Sequence, residues 1–187
     1  MAFRKQIFSK NEMSLLRYSR AVKSALKNGD PIVALESTIL THGLPPGVNI
    51  NVARQCEQAI ISNGATPATI FIDNGKIHVG AEEDELEMIC SGIRPARKVS
   101  RRDLPGVIAS GGLGGTTVSG TSIAANMAGI ELFATGGIGG VHRGAERTMD
   151  VSADLYELSR TPIFVVCAGK GSIFSRGRRP NGPVIQK

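Results

Sequence analysis

IELFATGGIGGVHRGAERTMDVSAD, residues 130–154, joins an apolar run to a glycine hinge and then to a segment rich in charged side chains. The run at 130–134 predicts a short strand, and the pattern at 151–159 predicts a helix. If a helix begins near Asp150, this residue and Asp154 lie one turn apart on one face. Glycines let a backbone approach a ligand closely. The stretch therefore predicts a strand, a binding loop and a helix, which is the repeating unit of an α/β protein.

Short apolar strands alternate with helices on both sides of this stretch. The further predicted strands are 32–35, 68–72, 77–79, 116–118 and 163–166, with an extended segment ending near Val99, and the further predicted helices are 14–27, 52–61, 82–90 and 121–128. The turn Asp73-Asn74-Gly75 between two apolar runs predicts a β-hairpin. Strands that are apolar on both faces indicate helices on both sides of a sheet. The predicted fold class is α/β, with a mainly parallel or mixed sheet covered by helices in one domain.

Unusual residues follow five of the predicted strands. They are Glu36, Lys98, Val118, Gly136 and Gly169. In α/β sheets, ligands bind beyond the carboxyl ends of the strands, where loops converge and helices begin. We therefore predict a binding site at this end of the sheet.

Two glycine clusters, GGLGG at 111–115 and GGIGG at 136–140, resemble nucleotide-binding loops without completing one. Thr117 and His142 stand where GxGxxG requires its third glycine, and AGKGS at 168–172 does not match a Walker A loop. Consecutive backbone N–H groups near the start of a helix can still hold a phosphate. Tight turns and close helix packing explain the clusters as well, so both interpretations stay open.

Charged side chains near the strand ends suggest acid–base and phosphate chemistry. Glu36 ends the apolar strand IVAL, where burial would raise its pKa and suit it to general acid catalysis. Lys98, Arg101 and Arg102 concentrate positive charge that can bind a sugar phosphate. A solvated loop with an arginine paired to Asp103 explains that cluster equally well.

The remaining candidates each have two interpretations. Asp150 and Asp154 could hold a divalent cation, since hard metals prefer oxygen ligands, or could cap a helix. His42 and His142 could act as acid–base groups or satisfy local hydrogen bonds.

The net charge of +6 over 187 residues is carried by the two ends of the chain. Residues 1–27 hold seven Lys or Arg against one acid, residues 170–187 hold five against none, and the rest holds ten against fifteen. A nucleic-acid-binding face needs a folded basic stripe, so this distribution argues against nucleic acid as a partner. No apolar run is long enough to span a bilayer. We therefore expect a small-molecule ligand and no membrane.

The three cysteines and the basic start bear on the compartment. Cys56, Cys90 and Cys167 are far apart in the sequence, so neither a zinc site nor a disulfide framework is expected, and a reducing compartment fits. Residues 1–13 are expected to form a flexible or presequence-like arm, because their composition fits a mitochondrial presequence as well as a frayed lead-in to a helix. We favour a cytoplasmic location, with a mitochondrial one as the alternative.

Six segments together resemble the pseudouridine-5'-phosphate glycosidase family. They are VALESTILTHGLP, ARKVSRRDLP, GGTTVSGTS, ELFATGGIGGVHRGAE, DVSADL and VVCAG, and the match is ordered from about Val22 to Gly169. The resemblance implies a C-glycosidase that reversibly cleaves pseudouridine 5'-phosphate into uracil and ribose 5-phosphate, uses Mn²⁺ or another divalent cation, and forms a homo-oligomer.

The resemblance also implies roles for individual residues. Glu36 would be the proton donor and Asp150 would face the metal. The residues implied to bind substrate are Lys98, Val118, Ser152, Ala153 and Asp154, and His142 would belong to the same site. The family's mechanism is thought to open the sugar ring and to form a lysine Schiff base, whose cationic imine accepts electrons.

The chain departs from the family pattern after VVCAG. The family has one variable residue and then the nucleophilic lysine, whereas Lys170 here comes one position early. A catalytic group does not tolerate a displacement of several ångströms. We expect residues 14–169 to form a truncated glycosidase-like domain without the C-terminal part of the family fold, and 170–187 to be a divergent, disordered basic tail. Impaired activity is then expected, and the alternative is a non-catalytic sugar-phosphate-binding or regulatory remnant that associates with full-length subunits.

Overall fold

The computed structural model describes residues 15–142 and 144–168, which form a sheet with helices on both faces. The strands are β1 (Leu16–Tyr18), β2 (Ile32–Leu35), β3 (Thr66–Asp73), β4 (Lys76–Val79), β5 (Arg97–Val99), β6 (Gly114–Thr116), β7 (Leu132–Thr135) and β8 (Phe164–Cys167). The helices are α1 (Arg20–Asn28), α2 (Val48–Ser62), α3 (Glu83–Ser91), α4 (Leu104–Ser110), α5 (Val118–Met127), α6 (Ala145–Thr148) and α7 (Ala153–Leu158), with a π-helical turn at Ile39–Gly43. The predicted arm 1–13, the predicted tail 170–187 and Lys170 lie outside the described residues.

The sheet is mixed, and its main path runs β1-β4-β3-β2-β7-β8. Strands β2, β3, β7 and β8 run parallel to one another, whereas β4 and β6 both pair antiparallel with β3. Strand β5 is parallel to β6 and β1 is parallel to β4. The predicted α/β class with a mainly parallel or mixed sheet is confirmed.

Strand β3 has a different neighbour along each half of one edge. Its first half pairs with β2 and its second half with β6, while β4 occupies the opposite edge. Because β2 and β6 run in opposite directions, their carboxyl ends meet, and the Ser37 N–H donates to the Thr116 carbonyl at 3.3 Å. The Ile70 carbonyl accepts hydrogen bonds from the Ser37 and Thr116 hydroxyls at 2.6 and 2.7 Å. This junction brings two sets of strand ends to one place.

The two faces of the sheet carry two apolar clusters. One contains Phe133 and the β3 residues Ile70 and Ile72, packed with α1 and α5. The other contains Phe71 and packs against α2, α3 and the π-helical turn. Successive residues of a strand point to opposite faces, which explains why neighbours in β3 belong to different clusters.

Several predicted elements are confirmed. Strand β2 has the predicted bounds, and the Asp73-Asn74-Gly75 hairpin forms between β3 and β4. Asn74 and Gly75 both have positive φ, at 48° and 73°, as a two-residue hairpin loop of this kind requires. Helix α3 begins after Glu82, which forms a capping box with Glu85.

Three predicted elements have different bounds in the structure, and one helix was not predicted. The predicted helix 14–27 begins only at Arg20, because Leu16–Tyr18 pairs with β4 as a strand and Ser19 then caps the helix. The predicted strand 116–118 ends at Thr116, and Val118 opens α5 after the Thr117 side chain caps it. The predicted helix 151–159 starts at Ala153. Helix α4 was not expected, because LPGVIAS holds a proline and a glycine and shows no clear helical period.

Candidate active site

Glu36 lies at the junction of the strand ends, immediately after β2. The Thr135 hydroxyl donates a hydrogen bond to its Oε1 at 2.5 Å. Burial raises the pKa of the Glu36 carboxyl above its ordinary value, and the negative charge of Asp154 adds to this rise. The Thr135 hydrogen bond and the positive charge of Lys98 act in the opposite direction and are outweighed. The group is therefore a partly buried acid that holds its proton more tightly than an exposed glutamate.

Thr135 is a site residue that sequence reasoning missed. It is the last residue of β7, and β2 and β7 are parallel with Leu35 opposite Ala134, so the next residue of each strand also stands side by side. The signal was present in the sequence, because a threonine follows the apolar run just before the glycine hinge.

Lys98 and Val118 come to this junction from the oppositely running strands. Lys98 lies within β5, opposite Gly115 of β6, and not directly after a strand as expected. Its side chain is exposed, and its positive charge acts to lower the pKa of Glu36. Val118 is buried and is the first residue of α5. Lys98 thus acts on Glu36 through its charge, and Val118 follows the end of β6, which meets the end of β2.

Asp154 holds two distant segments together. Its Oδ1 accepts a hydrogen bond from the Ser119 N–H in the first turn of α5, and its Oδ2 accepts one from the Gly139 N–H, both at 2.9 Å. The side chain is buried at the start of α7, and Ser152 caps that helix by accepting from the Asp154 N–H at 3.2 Å. The segment Ser152, Ala153 and Asp154 therefore borders the start of α5 and the glycine hinge.

Each glycine cluster has a position that leaves no room for a side chain. A Cβ on Gly139 would collide with the Ser152 hydroxyl and lie 2.8 Å from Asp154 Oδ2. A Cβ on Gly115 would collide with the Thr41 hydroxyl. Gly120 in α5 is equally constrained, because its Cβ would lie 2.6 Å from the Val99 carbonyl. These glycines let β5, β6, α5 and the hinge approach one another around Glu36.

Arg101 forms an ion pair that sequence reasoning missed. Its guanidinium donates to both carboxylate oxygens of Glu157, at 2.6 and 3.2 Å, although Glu157 is almost fully buried. Burial alone would raise the pKa of Glu157, but hydrogen bonds from Arg101 and Thr161 lower it below its ordinary value. The alternative pairing with Asp103 involves Arg102 instead, at 3.8 Å. Arg101 thus ties the loop after β5 to α7, one turn beyond Asp154.

Asp150 does not share a helix face with Asp154. It precedes α7, next to Met149 with φ of +56°, and is exposed whereas Asp154 is buried. Its Oδ2 lies 3.9 Å from His142 Nδ1, and its carbonyl accepts a hydrogen bond from the His142 N–H at 3.1 Å. His142 therefore lies with Asp150 on the exposed side of the hinge.

The donor set around Asp150 contains one carboxylate and one imidazole. In residues 15–142 and 144–168, no three side chains of His, Cys, Asp or Glu come together to hold a metal ion. Hard divalent cations are often bound through only one or two carboxylates, with water completing the shell. Asp150 fits such a water-rich site.

His42 is exposed at the end of the π-helical turn. Its Nδ1 lies 2.7 Å from the Thr41 hydroxyl, with which it makes a local hydrogen bond. The local interpretation of this histidine is therefore the one that the structure supports.

No helix within the described ranges combines the length and the apolar character needed to cross a bilayer.

The chain is similar to known proteins in sequence and in structure. Residues 21–179 match the family model described as indigoidine synthase A like protein. Pseudouridine-5'-phosphate glycosidases of Staphylococcus aureus and Geobacillus kaustophilus are 55% and 56% identical to this chain, each over 87% of it. The aligned part makes up 53% and 54% of those proteins. The chain spans about half the length of the curated relatives it matches.

Two solved structures share the fold. A prealnumycin C-glycosynthase in complex with ribulose 5-phosphate is 43% identical with a TM-score of 0.76, covering 86% of this chain and 52% of that protein. An indigoidine synthase A-like protein from Thermotoga maritima is 36% identical with a TM-score of 0.73, covering 83% of this chain and 49% of that protein. The chain therefore belongs to the indigoidine synthase A like family.

Proposed function

We propose that this chain carries the proton donor of a C-glycosidase site that acts on pseudouridine 5'-phosphate. The observation that carries the proposal is the partly buried Glu36 carboxyl, whose pKa is raised by burial and responds to the charges of Lys98 and Asp154. The names of the relatives support the substrate, and the ribulose 5-phosphate bound to the prealnumycin enzyme supports a phosphorylated pentose as the ligand class.

Glu36 acts as the proton donor in this proposal. When the bond between uracil and the sugar breaks, its electron pair goes to the departing uracil carbon, which must then gain a proton. A carboxyl whose pKa is raised keeps its proton nearer to neutral pH and can deliver it. In the reverse direction the Glu36 carboxylate takes the proton back from uracil.

The phosphorylated sugar is held by groups around the same junction. The exposed Lys98 ammonium supplies charge for the phosphate, and Val118 opens a ten-residue helix whose N-terminus favours anions. Ser152, Ala153 and Asp154 line the glycine hinge beside that helix end. Asp154 also keeps the hinge and α5 in place through its two hydrogen bonds.

A divalent cation such as Mn²⁺ would be held by Asp150, with His142 beside it. When bound, the cation supplies positive charge for oxygens of the substrate. The sugar carbon is left electron-poor when the bonding pair leaves with uracil. In the family a lysine amine is thought to supply electrons to that carbon and become an imine, and Lys170 is the candidate in this sequence. Lys170 lies outside the described residues, so its part in the reaction rests on the sequence alone.

The experiment measures uracil consumption with ribose 5-phosphate and Mn²⁺. The purified chain is compared with a version extended by the remaining half of the S. aureus relative. We expect turnover by the extended version, and a loss of about 10²–10⁴-fold on Glu36→Gln, the usual contribution of a general acid. Glu131→Gln, at an exposed carboxylate, is the control and should keep the activity.

Borohydride trapping tests the role of Lys170 separately from the glycosidase activity. A ribose 5-phosphate adduct at Lys170 would identify this lysine as the nucleophile. An extended protein that binds ribose 5-phosphate without consuming uracil would contradict the proposed glycosidase.

A further inference from the structure

One face of the sheet is apolar and loses its cover toward β8. Parallel pairing places Val33 of β2 opposite Leu132 of β7, and Leu132 opposite Phe164 of β8. A second row runs in the same way through Leu35, Ala134 and Val166. Residues paired in this manner point to the same face of a sheet. We call these two rows the β7–β8 face.

In both rows the residue of β8 is the most exposed. Val33 is 9% exposed, Leu132 is partly exposed, and Phe164 at the end of the first row is 68% exposed. In the second row Leu35 and Ala134 are partly exposed and Val166 is 49% exposed. The helices on this side pack at β3, where Phe71 is fully buried. Among the described residues, cover therefore fails at the last strands of the sheet.

The opposite face of the same strands is covered. Phe133 is fully buried there, and Val165, Leu158 and Ile163 pack against its cluster. Parallel sheets are normally buried on both faces, because their crossover helices lie on both sides. A large apolar surface left open on a sheet marks a contact with another polypeptide.

The length of the relatives indicates which polypeptide this is. In both glycosidases and both solved structures, about as many residues lie outside the aligned part as within it. Residues 169–187 hold no run of apolar residues at helical spacing, and five of them are Lys or Arg. We propose that the β7–β8 face is the docking surface for a polypeptide equivalent to the second half of these relatives. This partner places the apolar stripe of a helix across β7 and β8.

The experiment is co-expression of the intact chain with a tagged fragment of the S. aureus relative, comprising the part of that protein without a counterpart here. We expect a one-to-one complex on size-exclusion chromatography with light scattering. Hydrogen exchange in 132–135 and 164–167 should slow in the complex. Phe164→Lys and Val166→Lys should each weaken the complex by at least about tenfold, because each introduces a charge where an apolar side chain is buried.

The control is Ile93→Lys, which places the same charge on an apolar side chain that is 86% exposed just after α3. This variant should bind the fragment as the wild type does. Circular dichroism of each variant without the fragment confirms that the substitutions leave the fold unchanged.

Three results would overturn the proposal. The first is that no complex is recovered from co-expression. The second is a complex that tolerates lysine at both 164 and 166. The third is a homodimer of this chain that Phe164→Lys dissociates in the absence of the fragment, since the occupant of the face would then be a second copy.

Discussion

Glu36 is a carboxyl group whose burial raises its pKa above the ordinary 4.5. Between pH 4.5 and the higher folded-state pKa, Glu36 is therefore protonated in the folded chain and ionised in the unfolded chain. The stabilising contribution of this group is complete below pH 4.5 and is lost as pH rises through the higher value of the folded state. The acid that suits catalysis is thus a source of instability at neutral pH.

This argument predicts the effect of Glu36→Gln on stability. The variant should unfold at a higher denaturant concentration than the wild type above the folded-state pKa of Glu36, because glutamine carries no charge to bury. The difference should shrink as the pH is lowered toward 4.5. Urea unfolding across this range measures it, with Glu131→Gln as the exposed control. A difference that does not depend on pH would show that the carboxyl charge is not the cause.

At the scale of elements, glycine decides how closely α5 approaches β5. Gly120 lies in α5 with the Val99 carbonyl oxygen 2.6 Å from where its Cβ would be, whereas Gly106 lies in α4 with nothing within 4 Å of that position. Both glycines are helical and have no positive φ. The two positions therefore differ in packing and not in backbone conformation.

Alanine substitutions at these two positions should have opposite signs. Gly120→Ala should destabilise the chain by about 1–3 kcal/mol, the usual cost of overpacking a dense interior. Gly106→Ala should stabilise it by up to about 1 kcal/mol, because alanine is the better helix former. Thermal and denaturant unfolding of the two variants measures both values. Equal effects of the two substitutions would contradict the close approach of α5 to Val99.

Local elements of this fold could be predicted from the sequence, but their convergence could not. Strand β2 and the Asn74-Gly75 hairpin follow from apolar pattern and turn chemistry that lie within a few residues. The hydrogen bond between Thr135 and Glu36 joins residues 99 positions apart, and the strand Leu16–Tyr18 forms only because β4 is beside it. Pairings of this kind depend on tertiary structure, which local pattern does not encode.

At the scale of the molecule, a buried imidazole changes the stability of the fold with pH in the direction opposite to Glu36. His78 in β4 stacks on Phe71 at 4.3 Å between ring centres, and its Nδ1 lies 3.0 Å from Arg17 and 3.2 Å from Glu85. Burial lowers the pKa of His78 below its ordinary 6.5, and Arg17 adds to this, although Glu85 and Asp73 act against it. This cluster connects the edge strand β1 to β4 and α3.

The chain should therefore lose stability in mild acid through His78. A lowered pKa means that the unfolded chain binds the proton first, so the contribution of His78 is present above pH 6.5 and is lost as pH falls through the folded-state value. His78→Gln should flatten the decline in unfolding free energy below pH 6.5. His42→Gln, at an exposed imidazole, should leave the decline unchanged. An identical decline in His78→Gln would assign the acid sensitivity to other groups.

The two hydrogen bonds of Asp154 also set the order of events during synthesis. The carboxylate joins Ser119 and Gly139 to a helix that begins at Ala153, and Glu36 meets Thr135 only across the pairing of β2 with β7. Domains form as units while the chain emerges from the ribosome, and contacts between distant residues form late. A nascent chain shorter than about 154 residues thus contains Glu36 but not yet Asp154, which contributes to the raised pKa of Glu36. A ligand that binds to Glu36 and the groups around it would report on complete folding of the newly made protein.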